Sequence, residues 1–163
     1  MTAGKMGMAL KRAMKVRAPA VAAMFVAAAL LTGGTAGAAE KLSPLGVWLG
    51  ISDSGEKGHV KIYECGDKLC GRLVWSSQPE ARDINNPDES KRDRLLLGQD
   101  IFTGLQPDGE NFWDYGRLYD PTTGKTWNCN ITVLPGNDKL KLRGYWGISL
   151  FGQTRVWTRV KQE

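Results

Sequence analysis

The sequence predicts an all-β fold, a single antiparallel meander β-barrel of about eight strands with one short helix in a long loop. Three observations lead there. Short β-rich or alternating runs recur from Gly46 to Val160, each closed by Gly, Pro, Asn or Asp. Apart from the stretch 76–99, the connections leave little room for a helix, so neighbouring runs pair antiparallel. In two hairpins a single register places the apolar residues of both arms on one face.

The chain opens with a segment that belongs to none of these runs. Lys5, Lys11, Arg12, Lys15 and Arg17 occur without an acidic residue, an apolar run follows from Ala18 to Leu31, and small residues end in Ala36-Gly37-Ala38. Basic, apolar, then small is the order of a cleaved secretory signal, assigned to residues 1–38. The apolar run falls short of the roughly 20 residues a spanning helix needs, and the first cysteine, Cys65, is too far along to carry a lipid at a new amino terminus. No stable membrane anchor is expected. The five cations of this segment account for the whole +5 of the chain, so the domain that remains is neutral. A neutral domain gives no reason to expect nucleic acid as a partner.

Residues 39–45 form a short lead, and 46–163 form one domain, large enough for a real core. The expected strands are Val47–Ser52, His59–Cys65, Leu69–Trp75, Ile101–Leu105, Phe112–Tyr119, Lys125–Leu134, Lys139–Trp146 and Gln153–Val160. A turn at Gly66-Asp67-Lys68-Leu69 would set Ile62 against Leu73, Val60 against Trp75, and Cys65 against Cys70. A turn at Pro135-Gly136-Asn137-Asp138 would set Val133 against Leu140, Ile131 against Leu142, Cys129 against Gly144 and Trp127 against Trp146. Within the long connection, Asn86 reads as an N-cap, Pro87 as the first helical position, Asp88 and Glu89 as the acidic first turn, and Gly98 as the stop. A connection of that length is a lid, a binding loop or a plug over a barrel end.

The chemistry-bearing residues are few. Cys65 and Cys70 share an outward face in a compartment expected to be oxidising, which favours a disulfide over a redox pair, since catalytic dithiols sit closer together at a helix start. Cys129 falls on the apolar face and reads as a small buried hydrophobe. The single histidine, His59, starts a strand on the polar face, so neither a Cys–His nucleophile nor a zinc site is expected. Asp83, Asp88, Asp93, Asp100, Asp114 and Asp120 are scattered over loops and strand ends, and no phosphate loop or nucleophile elbow is present. No catalytic residue, metal or cofactor is assigned.

The informative feature is the apolar face itself. Trp48, Val60, Ile62, Leu73, Trp75, Ile101, Trp127, Ile131, Leu142 and Trp146 are the candidate interior residues, with Val133 and Leu140 beside them. An eight-stranded barrel is at the size where side chains either fill the interior or leave space for one small ligand, and both outcomes stay open.

Gly46-Val47-Trp48 and the late Trp157-Thr158-Arg159 resemble the lipocalin pattern, in which an early Trp meets an Arg of the last strand. Cys65 to Trp75, Asn86-Pro87-Asp88 with Arg94 to Gly98, Tyr119 to Lys125, Leu142 to Tyr145 and Thr154 to Val160 resemble the bacterial family called domain of unknown function 2147. That resemblance spans Gly46 to Val160 and implies an exported, lipocalin-like barrel without fixing an activity. It implies closure of the barrel base by Trp48 with Arg155 or Arg159. The expected function is a periplasmic or secreted, non-enzymatic barrel binding a small apolar or amphipathic ligand. The alternative is an interaction module with a filled barrel and a protein or cell-envelope partner docked on loop 84–97, and an uncharacterised enzyme ranks third.

Overall fold

The computed structural model describes residues 41–148, 150 and 152–161. The secretory segment expected at 1–38 lies outside the described residues. Among them eight strands, β1 (Gly46–Ile51), β2 (Lys57–Cys65), β3 (Lys68–Ser76), β4 (Asp100–Pro107), β5 (Phe112–Asp120), β6 (Lys125–Val133), β7 (Lys139–Tyr145) and β8 (Gly152–Arg159), follow one another around a closed barrel. Each pairs antiparallel with the next, and β8 returns to β1 through Trp48–Arg159 and Leu49–Thr158. The connections after β1, β3, β5 and β7 therefore emerge at one end, the rim. Those after β2, β4 and β6 lie at the other end, the base, together with the lead.

Alternation places Trp48, Val60, Ile62, Phe102, Leu105, Ile131, Val133, Leu140 and Leu142 in the interior, all essentially without solvent contact. Small residues face large ones across it. An added Cβ on Gly71 would lie 2.2 Å from the Phe102 ring, and one on Gly116 would lie 2.6 Å from Cys129 Sγ and 2.7 Å from Leu105 Cδ2. Such pairing of absent and bulky side chains brings the central layers into close contact.

The second hairpin has the register read from the sequence, with Val133, Ile131 and Cys129 opposite Leu140, Leu142 and Gly144. The first does not. Gly66, at φ +72, suits a two-residue turn, so Cys65 faces Lys68 and Val60 faces Leu73, a slip of two from the expected pairing. An even slip keeps every side chain on its own face, and Val60 and Ile62 stay inside. The disulfide forms all the same, crossing diagonally between Cys65 and Cys70 with Cα atoms 5.8 Å apart.

Two further expectations are corrected. A bulge in β3 puts Trp75 opposite His59, not Val60, and moves it to the outer face, where it is 44% exposed and stacks on the imidazole at 4.6 Å. The helix of the long loop shrinks to one 3₁₀ turn, Glu89–Lys91, and its cap is Asp88, which accepts from the Ser90 amide. Asn86 caps Asp88 one step earlier, accepting its amide at 2.9 Å.

Candidate functional site

At the base, the lead is stitched across the barrel. The Trp48 indole donates to the Pro44 carbonyl at 2.7 Å, and the Arg159 guanidinium donates to the carbonyls of Ser43, Leu45 and Asn137 while lying 4.1 Å over the Trp48 ring. Of the two arginines expected to reach Trp48, Arg159 does so. Arg155 is drawn instead to Asp53 and Gln153. A cavity of about 720 Å³ lies beside the lead, and its charged lining is mixed, with Lys41 and Lys68 against Glu64, Asp67 and Glu110. That balance selects no particular charge.

At the rim, the long loop folds onto the barrel around Asp83, whose side chain is fully buried. Its carboxylate accepts from the Tyr119 hydroxyl, from Asn86 Nδ2 at 2.6 Å and from the Arg94 guanidinium at 3.0 and 2.8 Å. Burial alone would raise the Asp83 pKa, but the bonds from Tyr119, Asn86 and Arg94 together outweigh it and hold the carboxyl below its ordinary range. Burial, reinforced by the Asp83 carboxylate, pushes the Tyr119 phenol up to about 12. Asn85 Nδ2 reaches the carbonyls of Pro121 and Thr122, and Gly124, at φ +68, passes so close to the Asn85 carbonyl that a Cβ would sit 2.0 Å from its oxygen. Among the described residues every buried side-chain nitrogen and oxygen has a partner. This cluster fastens the loop to the β5–β6 turn, and its carboxylate is buried and held by four donor contacts from three side chains.

Beside that turn lies the second cavity, about 520 Å³, lined by Arg117, Lys125, Thr126, Trp127 and Trp146. Trp127 enters it from the inner face of β6, opposite Leu118, and meets Trp146 edge to face at 5.9 Å. The pair read from the sequence is thus real, but β7 ends at Tyr145 and Trp146 stands 67% exposed on the rim, not walled into the core. Ile148 and Leu150 follow it, also exposed.

The other sequence candidates distribute simply. Trp48, Val60, Ile62, Ile131 and Leu142 are core, Leu73 and Ile101 pack against it half-buried, and Trp75 lies outside. Cys129 is fully buried and burial pushes its thiol up to about 12, which leaves it protonated and unreactive at neutral pH. Among the described residues no group of three or more His, Cys, Asp or Glu is placed to hold a metal ion, and no helix is long and apolar enough to cross a membrane. Sequence reasoning missed the Asp83–Arg94–Tyr119 cluster and the cations of the rim cavity. The first joins residues 36 positions apart, and Arg117 and Lys125 look in the sequence like any solvated strand charges.

Comparison with known proteins agrees with this architecture. The sequence pattern of the family described as uncharacterized protein conserved in bacteria (DUF2147) matches residues 46–159. A solved structure of protein HP1028 from the human pathogen Helicobacter pylori, described as belonging to the lipocalin family, superposes with a TM-score of 0.68 at 18% identity, covering 74% of this chain and 84% of that one. At that identity the likeness is one of fold. The curated proteins include no match to this chain.

Proposed function

This chain belongs to the bacterial family described as uncharacterized protein conserved in bacteria (DUF2147), and on that premise we propose that it acts outside the cytoplasm as a non-enzymatic binding protein, taking a small amphipathic molecule at the rim between Trp127 and Trp146. The observation that carries this reading is the contrast between the tightly filled central layers and the aromatic cavity left at the rim. The Cys65–Cys70 disulfide supports an oxidising compartment. The protonated thiol of Cys129 and the buried Asp83 carboxylate, held by Tyr119, Asn86 and Arg94, support a role without catalysis.

The test is uptake of the neutral lipophilic dye N-phenyl-1-naphthylamine. Trp146 is exposed, so Trp146→Ala should shift stability by no more than about 0.5 kcal/mol yet weaken dye binding several-fold. Dye binding that ignores both Trp146→Ala and Trp127→Ala, or protein indifferent to the dye altogether, overturns the reading. A second reading, a protein partner on loop 84–97, rests on Ile84, which stands exposed, because Leu95, Leu96 and Leu97 are half-buried. Photo-crosslinkers placed at position 84 in intact cells should give a specific adduct if that partner exists; an empty lane removes it.

A further inference from the structure

We propose that the rim site is selective for anionic amphiphiles, a carboxylate- or phosphate-type head held by Arg117 and Lys125 with the apolar tail against Trp127 and Trp146; this rests on the binding reading above. The lining of the cavity supplies two cations, one hydroxyl and two indoles, and no acid. Several arginines elsewhere in the barrel face a carboxylate. Arg72 is paired with Asp100, Arg92 with Glu89, Arg94 with Asp83 and Arg155 with Asp53. Arg117 differs, because it donates at 2.6 Å to Asn128 Oδ1, a neutral acceptor that orients the guanidinium without cancelling its charge.

Lys125 differs as well. The β5–β6 register sets it opposite Asp120, where a cross-strand ion pair would be the ordinary outcome. Asp120 is turned away, however: its carboxylate accepts from the Thr122 amide at 2.9 Å and from the Thr123 hydroxyl at 2.7 Å, closing its own turn. The turn is locked from the other side by Asn85 and the close passage of Gly124. The nearest other acid in the strand sequence, Asp114, is held by the Tyr145 hydroxyl and the Tyr115 amide. Two cations without an ion-pair partner among the described residues, beside one exposed and one half-buried indole, form a charged head site joined to an apolar tail site. The base cavity, whose lysines face Glu64, Asp67 and Glu110, lacks that asymmetry.

The experiment compares decanoate, decyl phosphate, decanol and decyltrimethylammonium, ligands of one chain length, by titration of tryptophan fluorescence and by calorimetry. Decanoate and decyl phosphate should bind about five- to tenfold tighter than decanol, and decyltrimethylammonium weaker still, since two partly exposed charge contacts are worth that much. Raising salt should shrink the preference. Lys125→Gln and Arg117→Gln should each lower the ratio of decanoate to decanol affinity. The decanoate and decyl phosphate arms tell a carboxylate from a phosphate source. Equal binding of all four ligands, all of it sensitive to Trp146→Ala and none to Lys125→Gln or Arg117→Gln, overturns the charge selectivity and leaves the binding reading standing. Failure of every ligand to bind, or binding insensitive to Trp146→Ala, overturns both.

Discussion

Asp83 shows how much a single residue can depend on its partners. A carboxylate without solvent contact is tolerated because Tyr119, Asn86 and Arg94 together replace its water. Asp83→Asn leaves the Arg94 guanidinium without its counter-charge, and since that side chain is 35% exposed the cost should be about 2 to 3 kcal/mol, below that of a fully buried pair. The folded-state pKa of Asp83 lies below its ordinary 3.8. Its contribution is therefore complete above that value and is lost as pH falls through the folded pKa. Urea midpoints should show the widest gap between wild type and Asp83→Asn at pH 7, and the gap should close below about pH 4. A gap that widens in acid would mean the carboxyl is protonated in the native state.

At the scale of elements, the β2–β3 hairpin joins a two-residue turn, a bulge and a cross-strand bond. Replacing Cys65 and Cys70 together by Ser should cost about 2 kcal/mol and leave the fold intact, because the loop released is short. Mass measurement with and without reductant, on protein taken from its own compartment, comes first; three alkylatable thiols there would refute the bond. Among the paired strands, β3 and β4 carry the tightest fit. Gly71→Ala drives a methyl group into the Phe102 ring and should cost about 1 to 3 kcal/mol, and Phe102→Leu should recover part of that loss in the double variant. Strict additivity of the two changes would show that the ring has room to move.

For the whole molecule, closure at the base and at the rim rests on different forces. The base is held by one arginine that gathers the lead, the β6–β7 turn and the Trp48 ring, so Arg159→Met should loosen all three together. Exchange of the backbone amide of Val160, bonded to the Val47 carbonyl at 2.8 Å, should then speed up, while that of Leu96 near the rim, bonded to the Ala81 carbonyl, should not. Faster exchange at both ends would mean that the barrel opens as one unit. The rim is held by the Asp83 cluster and by Gly98 and Gln99, which bond back to Leu73. The long loop is thereby fastened to the β5–β6 turn and to β3.

The barrel, its eight strands in meander order, the register of the β6–β7 hairpin and much of the interior were legible in the sequence, because each follows from period-2 patterning and turn chemistry that act over a few residues; the Cys65–Cys70 bond was legible too, since the even slip of the first hairpin left both cysteines on one face. The remaining features depend on packing between segments. They are the bulge that sets Trp75 against His59 on the outer face, the end of β7 at Tyr145 that leaves Trp146 exposed, and the meeting of Arg159 with Trp48 while Arg155 pairs with Asp53. The same holds for the site: the Asp83 cluster and the uncancelled charges of Arg117 and Lys125 exist only once residues far apart in the chain are brought together, and a local pattern carries no record of whom a side chain will meet.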